Sequence, residues 1–257
     1  MKKLLLFISI VNCVQMNLFS QSVYGISRER DIIIGLVSLE AGIAPFFINN
    51  EPNNVPHTFH KKDINIFDRF SVFSYNRSLD LFSDYYCAFT LASFPLISVI
   101  PNVKHKGTIS TYFVMYCESL LLTYGTVFSL KSALIRYRPY MYVDGVPGGK
   151  EKDYYNSFPS GAAAFSFLGV TFFATTFSRE FPESRLKLPL IIGAYTLAAG
   201  TGAMRIVSGS HFLSDVLAGA AIGSLYGWLI PRLHIKNEQK NFSITPAMNG
   251  IMLSFEL

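Results

Sequence analysis

The chain has 257 residues and a mass of 28.7 kDa, enough for one sizeable domain with short additions. Half of its residues are hydrophobic and 15% are charged, which is too apolar for a typical soluble globular protein. The net charge of +5 is modest, and Lys and Arg lie between apolar runs, so no nucleic-acid-binding stripe is indicated. The three cysteines do not form a disulfide framework. Composition therefore predicts a membrane protein.

The N-terminus has the pattern of an export signal. A charged start, MKK, precedes an apolar run over residues 4–19, as in a secretory signal peptide or a signal anchor. Cys13 lies within this run, but Asn12 is a poor residue before a lipoprotein cleavage site. We therefore expect residues 1–20 to be a signal peptide or signal anchor.

Later apolar runs predict membrane-spanning helices, since a span needs about 20 apolar residues. The predicted spans are 82–101, 109–130, 159–177, 188–206 and 212–231. The predicted fold class is therefore all-α, a polytopic membrane helical bundle of about five to six core helices over residues 81–235.

Three further segments lie outside the predicted bundle. The run 32–47 is short for a span, and we expect it to be re-entrant or interfacial. Residues 21–80 then form an exported-side loop with short apolar and amphipathic helices along the membrane interface. The tail, 236–257, alternates weakly around Asn249-Gly250 and predicts a small hairpin.

The distribution of positive charge predicts the orientation in the membrane. The connections 102–107 and 179–187 and the tail after residue 231 carry eight lysines and arginines, which predicts that these connections are cytoplasmic. The segments 131–158 and 205–211 then lie on the exported face. A full crossing by 32–47 after an exported N-terminus would reverse this orientation.

The stretch 205–215 predicts catalytic chemistry. Ser210 is a plausible N-cap, and His211 and Asp215 are spaced to share one face of the following helix. The carboxylate can hold the imidazole in one tautomer, while the helix N-terminus favours an anion. Arg205 can grip a phosphate. This pattern indicates a nucleophilic histidine; a polar turn with an interfacial histidine is the alternative.

Two other segments carry residues suited to an anion. Lys131 and Arg138 are spaced to return to nearly the same helix face, with Pro139 ending the helix; charged flanks of a membrane helix are the alternative. In the segment 157–161 we expect a helix that Ser157 caps, Pro159 as its first residue, and a cradle made by the Ser160 hydroxyl and the backbone at Gly161. An ordinary capped helix is the alternative there.

Together these segments indicate a site for a phosphate monoester or pyrophosphate at the membrane surface. They provide three cationic side chains, two helix N-termini and one oriented imidazole. They contain no cluster of carboxylates for a metal pair, so we expect metal-independent chemistry without a cofactor.

Three motifs resemble the three-part signature of the type 2 phosphatidic acid phosphatase superfamily. They are Lys131-x6-Arg138-Pro139, Pro159-Ser160-Gly161 and Arg205-x5-His211-x3-Asp215. The resemblance covers about 100–220 in order and spacing. It implies phosphate binding by five residues, namely Lys131, Arg138, Ser160, Gly161 and Arg205. It also implies that His211 is the nucleophile, forming a phosphohistidine, and that Asp215 orients it.

The resemblance further implies a lipid phosphate or polyprenyl pyrophosphate substrate. We expect a bacterial inner membrane, and the distribution of charges predicts that the site faces the periplasm. One position departs from the family pattern, because Ala162 stands where the second motif normally has a proton-donating histidine. Three readings remain open: a pyrophosphatase that tolerates the loss, an inactive relative that binds phospholipid headgroups, and an altered copy of an active enzyme. Tyr154 or Tyr155 is the candidate substitute donor; aromatic residues of the membrane interface are the alternative reading of both.

Overall fold

The computed structural model of the chain describes residues 23–48, 51–52, 58–99, 108–143, 145–147, 153–236, 242–247 and 250–255. Its long helices are α1 (Arg28–Ile43), α2 (Arg77–Val99), α3 (Thr108–Ala133), α4 (Gly161–Glu180), α5 (Lys187–Val207) and α6 (Leu213–Leu233). Short 3-10 helices lie at Ala44–Phe47, Lys61–Asp63, Arg69–Ser71 and Pro139–Tyr142. The predicted export signal, 1–20, lies outside the described residues.

Four of the predicted spans correspond to helices long and apolar enough to cross a bilayer. These are Ile109–Ala133, Gly161–Glu180, Lys187–Val207 and Leu213–Leu233. Helix α2 covers residues 82–99 of the remaining predicted span, 82–101. Its first turns carry the charged residues Arg77, Asp80 and Asp84, and residues 100–101 lie outside the described ranges. The chain is an integral membrane protein with a helical bundle, as predicted.

Helix α4 lies at the centre of the bundle, in contact with α2, α3, α5 and α6. Its buried Phe172 packs in a cluster with Met115 of α3. On another side, its Phe173 packs with Phe94 of α2 and Ala198 of α5. Because the neighbouring helices all pack on α4, the start of α4 is fixed relative to the ends of those helices.

Helices α4 and α6 are in backbone contact along a stripe of small residues. Gly219, Gly223 and Gly227 face α4, and a Cβ atom built at Gly227 would lie 2.8 Å from an α4 carbonyl oxygen. Glycine at every fourth position allows such close packing of membrane helices. The two helix starts meet where Ser160 N donates to the Asp215 carbonyl oxygen at 2.9 Å.

The chain crosses the bundle along α1. Gly25 N donates to the His234 carbonyl oxygen at 2.9 Å, just beyond the C-terminal end of α6. Asp68 Oδ1 accepts from Ser214 N at 2.9 Å, at the N-terminal end of the same helix. Between these ends α1 packs against α3, so the expectation that 32–47 stays at one face is wrong. With 16 residues α1 is about 24 Å long, which is shorter than a full span.

The other two expectations outside the bundle have different outcomes. Residues 58–76 contain two short 3-10 helices, Lys61–Asp63 and Arg69–Ser71, in place of the amphipathic helix that was predicted. In the tail, strand β1 (Phe242–Ala247) pairs antiparallel with β2 (Gly250–Phe255). This arrangement agrees with the predicted hairpin, whose turn residue Asn249 lies outside the described residues.

Candidate active site

A cavity of about 300 Å³ lies at one end of the bundle. Five of the seven predicted site residues line it, and they are Lys131, Arg138, Gly161, Arg205 and His211. The remaining lining residues are Asp84, Phe128, Ser132, Asp153, Asn156 and Ala162. The other two predicted residues, Ser160 and Asp215, are buried behind the wall. The fold therefore brings all three sequence motifs together at one cavity.

His211 precedes helix α6 instead of lying on it. The helix begins at Leu213 with Phe212 at its cap position, so the predicted Ser210 cap is wrong, and so is the helix face shared by His211 and Asp215. The buried Ser210 hydroxyl instead donates to a carboxylate of α2. The backbone of the turn, rather than a helix face, therefore sets the direction of the imidazole.

Hydrogen bonds fix the tautomer of His211. Its Nδ1 lies 2.7 Å from the Ser157 carbonyl oxygen, and since a carbonyl can only accept, Nδ1 carries the proton and donates. The lone pair is therefore on Nε2, to which Arg138 Nη1 donates at 3.2 Å. Burial, followed by the positive charges of Arg138, Arg205 and Lys131, lowers the pKa of His211 well below its ordinary 6.5. The imidazole is neutral at pH 7, the form required of a nucleophile.

Asp215 supports this imidazole indirectly. Its Oδ2 accepts from Ser157 Oγ at 2.6 Å and from Phe212 N at 2.9 Å, while the distance to His211 Nδ1 is 3.7 Å. We expected Asp215 to bond to the imidazole directly. Instead it accepts hydrogen bonds from Ser157 and Phe212, which fix the position of the histidine. At that distance its negative charge also favours positive charge developing on the ring.

Lys131 and Arg138 reach the cavity from different elements. Helix α3 ends two residues after Lys131, and Arg138 follows an extended segment in which Arg136 forms a β-bridge with Asn156. The prediction that the two cations share a helix face is therefore wrong. Lys131 Nζ donates to the Asn156 carbonyl oxygen at 2.6 Å, and Arg138 Nη2 pairs with Asp153 Oδ1 at 2.6 Å.

Arg205 is held by two carboxylates that the sequence analysis missed. Its Nη1 lies 2.8 Å from Asp80 Oδ1 and 2.9 Å from Asp84 Oδ1. Two carboxylates one turn apart at the start of an otherwise apolar helix were the signal available. Within the described ranges, the buried Nε of Arg205 has no hydrogen-bond partner, and no group of three or more His, Cys, Asp or Glu is placed to hold a metal ion. A buried donor therefore remains for an anion.

Helix α4 begins one residue after its cap, Ser160, so the predicted roles of Ser157 as cap and Pro159 as first helical residue are wrong. The Ser160 hydroxyl accepts from Ala163 N at 3.4 Å, which directs it to the helix and away from the cavity. Gly161 does line the cavity. The first backbone N–H groups of a helix lack intrahelical acceptors, so this helix start favours a bound anion.

Arg136 is a further residue that the sequence analysis missed. Its Nη1 pairs with Asp215 Oδ1, and its Nη2 lies 2.6 Å from Asp68 Oδ2. The guanidinium carbon lies 4.6 Å from the centre of the Phe212 ring. Its position two residues before Arg138 was the only sequence signal. Arg136 therefore links Asp215, which supports His211, to Asp68 in a segment outside the three motifs.

Comparison with known proteins identifies the domain. A family model described as the PAP2 superfamily matches residues 112–239. The lipid A 1-phosphatase of Porphyromonas gingivalis is 33% identical over 103 residues, covering 38% of this chain and 22% of that protein. Lipid phosphate phosphatase 1 of Arabidopsis thaliana is 32% identical over 129 residues, covering 42% and 39%. The alignments thus span less than half the length of these relatives.

Two solved structures are also similar to the chain. The PAP2-type phosphatidylglycerolphosphate phosphatase from Bacillus subtilis has a TM-score of 0.47 and 22% identity, covering 81% of this chain and 98% of that one. LpxE of Aquifex aeolicus has a TM-score of 0.45 and 22% identity, covering 68% and 99%. The family match includes every motif from Lys131 to Asp215. Residues 112–239 of this chain are therefore a PAP2 superfamily domain.

Proposed function

We propose that the chain is a membrane phosphatase that hydrolyses a lipid phosphate or lipid pyrophosphate through a phosphohistidine at His211. The observation that carries this proposal is a neutral imidazole whose Nε2 lone pair lies at a cavity lined by three cations. In the first step Nε2 attacks phosphorus and the bond from phosphorus to the leaving oxygen breaks. Lys131, Arg138 and Arg205 stabilise the charge on the phosphoryl oxygens. Water then attacks the phosphohistidine and releases inorganic phosphate.

The position of the cavity and the similar proteins favour a lipid substrate. The cavity lies at the ends of helices that are long and apolar enough to cross a membrane, so a headgroup can enter while its chains stay in the bilayer. The names of the two curated relatives describe proteins that act on lipid phosphates. A water-soluble phosphate ester would not need this placement.

Ala162 bears on which leaving group can depart. It lines the cavity, at the position where the resemblance implies a proton-donating histidine. An alkoxide that leaves from a monophosphate needs a proton, whereas a phosphate that leaves from a pyrophosphate departs as a stable anion. Among the described residues neither Tyr154 nor Tyr155 lines the cavity, which weakens both as substitute donors. We infer that a lipid pyrophosphate is the better substrate.

A substrate panel tests this proposal with the purified full chain in detergent micelles. Diacylglycerol pyrophosphate and undecaprenyl pyrophosphate should be hydrolysed at least about 100-fold faster than phosphatidic acid, the size of a missing general acid. A metal chelator should leave the rates unchanged. Equal rates on phosphatidic acid would contradict the role given to Ala162, and phosphate release that stops with chelator would contradict the metal-independent mechanism.

The alternative proposal is an inactive relative that binds phospholipid headgroups, and Ala162 is the observation that favours it. The two proposals differ in one measurement. A binder should retain phosphatidic acid or the pyrophosphates with saturable affinity and release no inorganic phosphate from any of them. The neutral, oriented His211 favours the enzyme, because binding alone does not require a lone pair directed at the anion.

We also propose that the cavity faces the periplasm of a bacterial inner membrane. Among the described residues, and leaving aside the three cations that line the cavity, the opposite end of the bundle carries seven arginines and lysines and the cavity end five. The seven are Arg28, Arg30, Arg179, Arg185, Lys187, Arg232 and Lys236, and the five are Lys61, Lys62, Arg69, Arg77 and Arg136. Because α1 crosses the bundle, this orientation places residues 23–30 in the cytoplasm, and it therefore requires that residues 1–20 do not export the residues that follow them. A membrane-impermeant thiol reagent on intact cells should label a cysteine at Asp63 and spare one at Glu183. The reverse labelling would place the cavity in the cytoplasm.

A further inference from the structure

The segment 65–71 lies outside the PAP2 superfamily domain, yet it contacts the start of α6. Asp68 is fully buried and accepts at Oδ1 from Ser214 N at 2.9 Å and at Oδ2 from Ser214 Oγ at 2.6 Å. Leu213 N donates to Ser71 Oγ at 3.2 Å. These two backbone N–H groups lack acceptors within α6, so the segment provides the capping that the helix itself does not supply.

The Asp68 carboxylate is also linked, through Arg136, to the residues that position His211. Asp68 Oδ2 lies 2.6 Å from Arg136 Nη2, and Arg136 Nη1 pairs with Asp215. Asp215 in turn holds Ser157, whose carbonyl oxygen accepts from His211 Nδ1. The path from Asp68 to the imidazole is therefore a continuous series of hydrogen bonds.

Asp68 is ionised in this position. Burial raises the pKa of Asp68, but hydrogen bonds from Ser214, Asn65 and Arg136 outweigh it and leave that pKa below its ordinary value. If Asp68 lost its charge, Arg136 would keep only Asp215 as a charged partner. The backbone N–H of Ser214, at the start of α6, would lose its charged acceptor. The segment thus has a polar inner face whose charge matters for the geometry of the site.

The outer face of the same segment is apolar. Ile66, Phe67 and Phe70 are 72%, 76% and 64% exposed. Ser71 bonds to Leu213, the first residue of a candidate membrane span, so these side chains lie at the level where that span leaves the bilayer. The neighbouring Lys61 and Lys62 are also exposed. Apolar and aromatic residues beside lysines are characteristic of segments that lie in the headgroup region of anionic lipids.

We propose that segment 65–71 contacts the lipid bilayer and holds the nucleophile, His211, in position. Its outer residues Ile66, Phe67 and Phe70 insert into the bilayer interface, and its inner Asp68 is a positioning residue for His211, acting through Arg136 and Asp215. The role of Asp68 rests on the proposed phosphatase activity. The lipid contact of the outer face is independent of it.

The inner face is tested by Asp68→Asn in the full chain, assayed in micelles with p-nitrophenyl phosphate and with a lipid pyrophosphate. We expect kcat to fall by about 10- to 100-fold on both substrates, with KM within about twofold, because the imidazole is misaligned while the phosphate-binding cations remain. Adding Arg136→Gln should lower kcat little further, since both changes break one path. Asp63→Asn, at an exposed aspartate of the preceding turn, is the matched control and should keep kcat.

Other outcomes overturn this role of Asp68. If Asp68→Asn keeps kcat, or if its losses multiply with those of Arg136→Gln, Asp68 is not a positioning residue. If Asp68→Asn does not fold, Ser214→Ala, which keeps the carboxylate and removes one donor to it, should lower kcat several-fold with KM unchanged, and unchanged kcat overturns the role. An unsubstituted chain without any turnover refutes the proposed function, and the role of Asp68 with it.

The outer face is tested by fluorescence, because Trp228 is the single tryptophan of the chain. In a Trp228→Phe background, Phe67→Trp in phosphatidylglycerol vesicles should be quenched by brominated lipid about as strongly as Trp228 is in the unsubstituted chain. Asp63→Trp in that background is the control and should be quenched less. A tryptophan at position 67 that brominated lipid does not quench would overturn the lipid contact, whatever the activity of the chain.

Discussion

His211→Ala is expected to abolish turnover, with a loss of at least about a thousandfold in kcat on the best lipid pyrophosphate. Among the described residues that line the cavity, only the imidazole has a fixed tautomer, a lone pair at Nε2 and a pKa lowered by burial and three cations. Steady-state phosphate release from the purified chain measures the loss. KM should change little, because Lys131, Arg138 and Arg205 remain.

His60→Ala is the matched control for this substitution, because His60 is exposed and lies outside the cavity. It should leave kcat and KM unchanged. Both variants should also unfold at nearly the temperature of the unsubstituted chain, so that a lost activity reports on chemistry. Turnover that survives His211→Ala within about tenfold would mean that another group attacks phosphorus.

Ala162→His is expected to have the opposite effect, a gain. A histidine at this position of the cavity wall can protonate an alkoxide leaving group, and general acid catalysis contributes about 100- to 10,000-fold. The turnover of phosphatidic acid should therefore rise by at least about 100-fold. The turnover of a lipid pyrophosphate should change far less, because its leaving phosphate needs no proton. Parallel assays of the two substrates measure the ratio directly.

Ala162→Gln separates proton donation from the filling of space, since its side chain is of similar length but does not titrate. It should raise neither rate. If Ala162→His leaves phosphatidic acid turnover unchanged, the residue does not limit the reaction and the preference for pyrophosphates needs another cause. If the glutamine variant raises turnover as much as the histidine variant, the gain comes from packing.

The convergence of the three motifs could be predicted from sequence, because each motif lies at the end of a helical run and the resemblance fixes their order. The start of α6 could not be predicted. Ser210 had the composition of a cap, but Asp68 and Ser71 supply the acceptors from more than 100 residues away in sequence. Capping from a distant segment leaves no local signal, so the helix starts two residues later than expected.

The relation of Lys131 to Arg138 was mispredicted for a similar reason. Their spacing fits a continuous helix, but the residues before Arg138 are extended, because Arg136 bridges to Asn156 of the following loop. That tertiary pairing overrides the local helical pattern. The carboxylates that hold the arginines, such as Asp84, come from other elements, and ion pairs between distant elements cannot be read from spacing.

The most direct test of the phosphohistidine mechanism is to trap the intermediate. The chain is incubated with a pyrophosphate lipid labelled with ³²P in its terminal phosphate, quenched within a turnover and digested with trypsin at neutral pH. Cleavage after Arg205 and Arg232 yields a peptide with a single histidine, His211. We predict that this peptide carries the label as an acid-labile, alkali-stable phosphate. Label on any other peptide, or steady turnover with no labelled protein, would contradict the account.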